Sequence, residues 1–238
     1  MATPAPWSPR ADAVRVVSYN VRGFRDGLGR VVAVVRELAP DVLLLQETGS
    51  RRDLRRFVAE TRLRAAHDPW SLLRRRVKNA VLLAEPWSLD SFRLERFADA
   101  RRWYPRGALV ARASAGSDRI WAISIHLGLD GAERARQAER VTHIVAELDG
   151  GLVIVGGDLN ATPDLRATSR IADALRDAWA LAGEGEGCTF PASTPTARID
   201  YVFVGEGGSV VGAKVGAEGA AGASDHLPVA VDVRLEDG

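Results

Sequence analysis

The sequence predicts a layered α/β sandwich, and three observations carry that prediction. Short strand-like segments recur along almost the whole chain and outnumber the helical ones. The helical segments fall in the connections between strands, which favours packed sheets over a doubly wound parallel sheet. Residues 41–46, Asp-Val-Leu-Leu-Leu-Gln, form a nearly continuous apolar run, as expected of a strand covered on both faces.

The elements follow in order. Residues 14–19 are short and β-branched, so they read as the first strand. A helix is expected over 30–39, where Val31, Val34, Val35 and Leu38 share one face and Pro40 stops the turn. Strands are expected at 41–46, 80–84, 108–113 and 120–125. A long helix over 132–148 puts Ala138, Val141, Ile144, Val145 and Leu148 on one stripe, and Gly150-Gly151 ends it. A strand at 152–155 and a third helix over 166–181 come next. The tract around Cys188 reads as the entry to a strand, and 199–204, 209–215 and 229–235 complete the set. Residues 183–187 and 217–223 are Gly-rich surface connections. No internal repeat or linker divides the chain, so one domain is expected over 13–236, after a flexible segment 1–12 carrying Pro4, Pro6 and Pro9.

Bulk properties narrow the class. The 238 residues suit a single core, and 46% hydrophobic with 26% charged residues is ordinary globular composition. A net charge of +1 gives no overall basic field. Only Lys78 and Lys214 are lysines among 32 basic residues, a bias that composition explains more simply than phosphate binding. Cys188 is the sole cysteine, so no intrachain disulfide is possible. The N-terminus lacks the basic-then-apolar pattern of a secretory signal, and no apolar run approaches the roughly 20 residues of a membrane helix. A cytoplasmic monomer is expected.

The chemistry sits where polar residues close apolar strands. Asn20, Glu47 and His126 each follow a strand, Asp158 and Asn160 follow another, Asp200 lies within 198–203, and Asp225-His226 precede the last strand. A carboxylate beside a buried strand is costly unless it is paired or binds a cation. Carboxylate and amide oxygens suit hard cations such as magnesium. Imidazoles beside carboxylates supply proton transfer and charge stabilisation. Taken singly, each has a plain structural alternative: a turn at Asn20, an ion pair of Glu47 with Arg51 or Arg52, a helix cap at Asp158 and Asn160.

The order and wording of these segments resemble the endonuclease/exonuclease/phosphatase superfamily, which shares the DNase I-like fold. The matching pieces are Ser18-Tyr19-Asn20, Leu45-Gln46-Glu47, Ile125-His126-Leu127, Gly157-Asp158-Leu159-Asn160, Arg198-Ile199-Asp200-Tyr201 and Ser224-Asp225-His226-Leu227-Pro228-Val229. The resemblance implies a four-layer α/β/β/α sandwich, two mixed sheets packed face to face with helices outside. It implies metal ligation by Glu47, Asn20 and Asp225, with Mg2+ the expected cation and Mn2+ a substitute. It implies that Asp158 activates water, Asn160 holds a phosphate oxygen, His226 binds the phosphate and stabilises transition-state charge with Asp200 orienting it, and His126 assists the leaving oxygen or holds another phosphate oxygen. The run Glu133-Arg134-Ala135-Arg136-Gln137 after His126-Leu127-Gly128-Leu129 is similar to small bacterial members. Ser124, where many of those have Asn, is a departure.

A phosphate ester, DNA first among them, is the expected substrate. The segment 51–78 is rich in Arg and could rim the cleft, or simply be a solvated helix face. Trp70, Trp87, Trp103 and Tyr104 are candidate rim aromatics. Arg106 and Asn79 are candidate substrate-binding residues. Two other readings stay open: a hydrolase of small or lipid phosphate esters, and an inactive binding module.

Overall fold

The computed structural model describes residues 12–69, 75–100 and 103–236. All of the expected flexible segment except Asp12 lies outside the described residues. In chain order the elements are β1 (Val14–Asn20), α1 (Leu28–Leu38), β2 (Val42–Gln46), α2 (Arg51–Thr61), β3 (Arg64–His67), β4 (Ala80–Leu83), β5 (Ser88–Arg96), β6 (Gly107–Ala115), β7 (Asp118–His126), α3 (Gly131–Ala146), β8 (Leu152–Asp158), α4 (Arg166–Ala172), β9 (Arg176–Asp177), α5 (Ala178–Ala182), β10 (Asp200–Val204), β11 (Gly208–Val215) and β12 (Val229–Leu235).

The strands form two mixed six-stranded sheets, ordered β11-β12-β1-β2-β4-β3 and β5-β6-β7-β8-β10-β9. Each sheet has one parallel pair at its centre. β1 pairs with β2 across α1, and β7 pairs with β8 across α3. A parallel pair needs a crossover, and a helix supplies it while covering the sheet.

Alternation along the strands explains the continuous apolar runs. In β1, Val14 and Val16 point between the sheets, and Val17 and Tyr19 point under α1. In β2, Val42 and Leu44 face inward, and Leu43 and Leu45 face the helices. The second sheet repeats the device. Ile154 and Val202 enter the inter-sheet core, while Val155 and Phe203 pack under α3 and α4. Both parities are therefore buried, giving four layers with three apolar seams. Gly156 on β8 marks a close approach. A Cβ there would lie 2.6 Å from Leu44 Cδ1 and 3.2 Å from Ser18 Cβ across the seam.

Two expectations are corrected. The helix expected over 166–181 is broken into α4, β9 and α5. Arg176 and Asp177 pair with Val204 and Phe203 at the sheet edge, and the Asp177 carboxylate accepts from Trp179 N–H to start α5. Edge pairing and a new N-cap thus override the helical periodicity. The tract at Cys188 enters no strand; the nearest pairing is a single bridge between Phe190 and Ala197. The sequence reading also missed β3 and β5, and gave α2 only as one alternative for the Arg-rich segment 51–78. β5 is largely solvent-facing, and α2 buries only Leu54 and Phe57 beneath its arginines, although Ser50 and Asp53 form a capping box at its start.

One buried ion pair ties the chain's ends together. The Arg15 guanidinium meets the Asp232 carboxylate in a two-pronged contact at 2.8 and 2.9 Å, and also donates to Leu38 O at the end of α1.

Candidate active site

Strand register brings the polar termini to one edge of the sandwich. Asn20 sits opposite Gln46, His126 opposite Asp158, and Asp158 opposite Asp200. Glu47 follows β2 directly, and Asp225-His226 lie just before β12. These ends line a cleft of about 350 Å³ bounded also by Tyr104, Arg106, Glu133 and Asn160. Asn20, Glu47, His126, Asp158, Asn160, Asp225 and His226 therefore share one cleft, with Asp200 behind His226.

Asp158 is the hub. Its Oδ1 accepts the Asn160 backbone N–H at 2.9 Å, and its Oδ2 accepts the Asn20 side-chain amide at 2.9 Å. His126 Nε2 lies 3.3 Å and His226 Nε2 3.8 Å from the same Oδ2. Burial, then the nearby Asp200 charge, pushes the Asp158 carboxyl up to about 7, against the opposing pull of His226 and the two hydrogen bonds.

The two imidazoles have opposite characters. Burial lowers the pKa of His226, but Asp200, Asp158 and Asp225 outweigh it and raise the ring to about 9. His226 Nδ1 donates to Asp200 Oδ2 at 2.8 Å, and Thr189 Oγ donates to the same oxygen at 2.6 Å. Phe190 packs against the ring at 4.9 Å. His226 is thus a fixed cation aimed at Asp158. His126, fully enclosed and beside Arg106 and His226, is held well below its usual range and stays neutral. Arg106 Nη1 can only donate, so His126 Nδ1, 3.0 Å away, accepts. That leaves the proton on Nε2, 3.3 Å from Asp158 Oδ2; the Asn160 amide nitrogen, also 3.3 Å from Nε2, gives its hydrogen to Leu127 O at 3.0 Å instead.

The acidic lip is different. The Glu47 carboxylate has no hydrogen bond or ion pair among the described residues and faces the cleft. Its backbone is in the left-handed region, φ 54°, at a cost of about 1–3 kcal/mol. Two N–H groups, from Gly23 and Gly49, hold its carbonyl there, each at 2.7 Å. Asn20 Oδ1 accepts the Arg22 N–H at 3.0 Å. Asp225 Oδ2 lies 3.1 Å from Arg22 Nε, and Arg22 also contacts Asp26. Asp158, Asp200 and His226 also form a tight cluster of potential donors, within 4.8 Å of one another. There, Asp200 Oδ2 already accepts two hydrogen bonds and His226 is held as the cation, whereas the Glu47 carboxylate is uncommitted among the described residues.

Sequence reasoning missed Arg22, Thr189, Glu133 and Gln137. Gln137 accepts from Gly128 N–H at 2.7 Å and donates to Glu133 Oε1 at 2.8 Å, bracing the loop after His126. The Glu133-to-Gln137 run was visible as a motif, whereas Thr189 carries no sequence signal. Asn79 borders the neighbouring groove, but its side-chain amide donates to Gly107 O and Ser124 O, tying the two sheets together. Of the candidate rim aromatics, Trp103 and Tyr104 are exposed, Trp87 is buried in the inter-sheet core, and Trp70 lies outside the described residues. In the Arg-rich segment, Arg51 donates to the Asp68 and Pro69 carbonyls and Arg76 to Thr48 and Gly49, while Arg74 lies outside the described residues.

The comparisons agree with this geometry. The 5'-tyrosyl-DNA phosphodiesterase of Caenorhabditis elegans is 28% identical over 182 residues, covering 71% of this chain and 48% of the relative. Its Caenorhabditis briggsae counterpart is 25% identical over 181 residues, covering 71% and 49%. The chain thus spans about half the length of the curated relatives it matches. An endonuclease/exonuclease/phosphatase from Bacteroides vulgatus superposes with a TM-score of 0.80 at 19% identity, covering 94% of this chain and 99% of that one. Truncated Caenorhabditis elegans TDP2 gives 0.75 at 22% identity, covering 93% and 97%. These likenesses establish the DNase I-like sandwich. Residues 17–226 match the Endonuclease/Exonuclease/phosphatase family across all six polar strand ends, and the chain belongs to that family.

Proposed function

We propose that the chain is a divalent-metal-dependent phosphodiesterase acting on DNA, with Mg2+ its cation and Mn2+ able to substitute. One observation carries the reading: the Asp158 carboxylate is held between the Asn20 amide and two imidazoles of opposite charge state, in a cleft whose lip is the uncommitted Glu47 carboxylate. The DNA assignment draws support from the tyrosyl-DNA phosphodiesterases that the chain is similar to.

The oxygen donors of Glu47, Asn20 and Asp225 fit a hard cation. Bound there, such an ion neutralises phosphate oxygen charge and lowers the pKa of the oxygens it contacts. Asp158, titrating near neutrality, is suited to take a proton from the attacking water. The Asn20 and Asn160 hydrogen bonds aim that carboxylate. The His226 imidazolium presents Nε2–H to the charge that builds on phosphate oxygen, and Asp200 keeps it protonated and oriented. Neutral His126 offers its Nε2 proton to a phosphate or leaving oxygen, and Arg106, which fixes that tautomer, adds a second cation to the wall.

The test runs a chromogenic phosphodiester beside plasmid and single-stranded DNA, each with magnesium, manganese and EDTA, using Asp158→Asn as the blank. Metal-dependent DNA cleavage lost in the variant supports the proposal. Cleavage of the small ester alone moves the substrate to small or lipid phosphates. No hydrolysis of any substrate overturns it.

A further inference from the structure

A second groove opens off the catalytic cleft and shares with it Glu47, Tyr104, Arg106 and His126. Its volume is about 290 Å³. Arg25, Arg75, Lys78 and Arg106 supply its cationic lining, beside Arg76, whose guanidinium donates to Thr48 and Gly49, and the single Glu47 carboxylate. None of the four is ion-paired to a carboxylate among the described residues, whereas Arg56, Arg93, Arg136 and Arg140 on other faces are. Two aromatic rings stand at the same groove with little to cover them. Trp103 is 63% exposed and Tyr104 70%. The Arg75 guanidinium carbon lies 4.3 Å from the Trp103 ring centroid and steadies the indole while leaving most of it open to solvent.

An exposed indole and phenol at one groove offer flat apolar faces on which a planar ring can stack. Cations alternating with such rings match a ligand that carries regular negative charge along one edge and planar rings along the other. The groove is too small for a duplex, whose bases are in any case stacked and unavailable. We infer that this groove holds single-stranded nucleic acid flanking the scissile bond, its phosphates on Arg25, Lys78 and Arg106 and its bases on Trp103 and Tyr104. This inference rests on the phosphodiesterase reading and names the form of substrate that enters the cleft.

Base stacking on an aromatic and phosphate contacts have separable signatures. The first is lost on truncating the ring and restored by another aromatic. The second appears as salt dependence. The experiment is fluorescence anisotropy of a short labelled oligothymidylate in EDTA, so that binding is read without cleavage. Trp103→Ala is expected to weaken binding roughly tenfold and Trp103→Phe to recover most of the loss. Lys78→Ala should reduce the slope of log affinity against log salt by about one. Arg170→Ala, on α4, serves as the control and should bind like the wild type. Equal affinity in all variants, or tighter binding to a blunt duplex than to the single strand, overturns the inference. Failure of the parent reading is distinct, because it shows in the unmodified chain as no metal-dependent cleavage of the chromogenic diester.

Discussion

The Asn20 side-chain amide donates to Asp158 Oδ2 at 2.9 Å, and the two residues end the central strands of different sheets. The carboxylate assigned to water activation is therefore aimed by the other half of the sandwich. Asn20→Ala should lower kcat, because Asp158 Oδ2 loses the amide that aims it, while leaving the melting temperature within a few degrees. Asp158→Asn, which keeps shape but not basicity, should lose about 10²–10⁴ in kcat. Steady-state kinetics beside thermal melts check both. A kcat within threefold of the parent in Asp158→Asn would remove it from the chemistry.

The Asp200–His226 contact sets an alkaline limit. Asp200 is the main influence raising the imidazole to about 9, so the cation persists through neutral pH and is lost as pH climbs through that value. Asp200→Asn removes the supporting charge, and the falling limb of kcat/KM should move to lower pH, toward the ordinary imidazole range near 6.5. A pH–rate profile with an unmoved alkaline limb would sever that link.

Among the described residues the Glu47 carboxylate has no hydrogen-bond or ion-pair partner, so its negative charge is available to a cation. Glu47→Gln should raise the magnesium concentration for half-maximal activity by roughly tenfold or more, without unfolding the chain. Metal titration of activity and calorimetric magnesium binding read the same shift. An unchanged metal requirement would move the cation to the Asp158–Asp200–His226 cluster.

Arg15 and Asp232 lie at 2–3% side-chain exposure, far along the strands from the cleft. Asp232→Ala removes the carboxylate that meets the buried Arg15 guanidinium and should cost about 3–5 kcal/mol in urea unfolding. Replacing both residues with apolar ones should recover much of that loss. If the single variant is within 1 kcal/mol of the parent, roughly, the pair is dispensable.

Much of this was legible in the sequence for a physical reason. β1 and β2 are apolar at both parities because each feeds two seams, so they stood out as unbroken runs. The polar residues at the ends of such strands were conspicuous by contrast, which is why Asn20 at the end of β1, Glu47 after β2, Asp158 at the end of β8 and His226 before β12 stood out in the sequence. β5 offered no such signal, since most of its residues face solvent. Arg106 was visible only as part of a tract, because its role depends on β6 lying beside β7 so that Gly107 sits opposite His126. Thr189 reaches Asp200 through a chain reversal closed by one bridge between Phe190 and Ala197, and nothing in the local sequence announces it.

Gly156 touches no substrate group, yet it governs the reach between Asn20 and Asp158. With Leu44 Cδ1 and Ser18 Cβ where its own Cβ would have to fit, it acts as a shim of minimum thickness between the halves. Any side chain there would wedge the sheets apart two residues from the Asp158 carboxylate, lengthening a contact that joins them. The permissible alphabet at this position is thus set by mechanical tolerance rather than by chemistry, and a screen for lost activity should find lesions at a site that no inspection of the cleft wall would nominate.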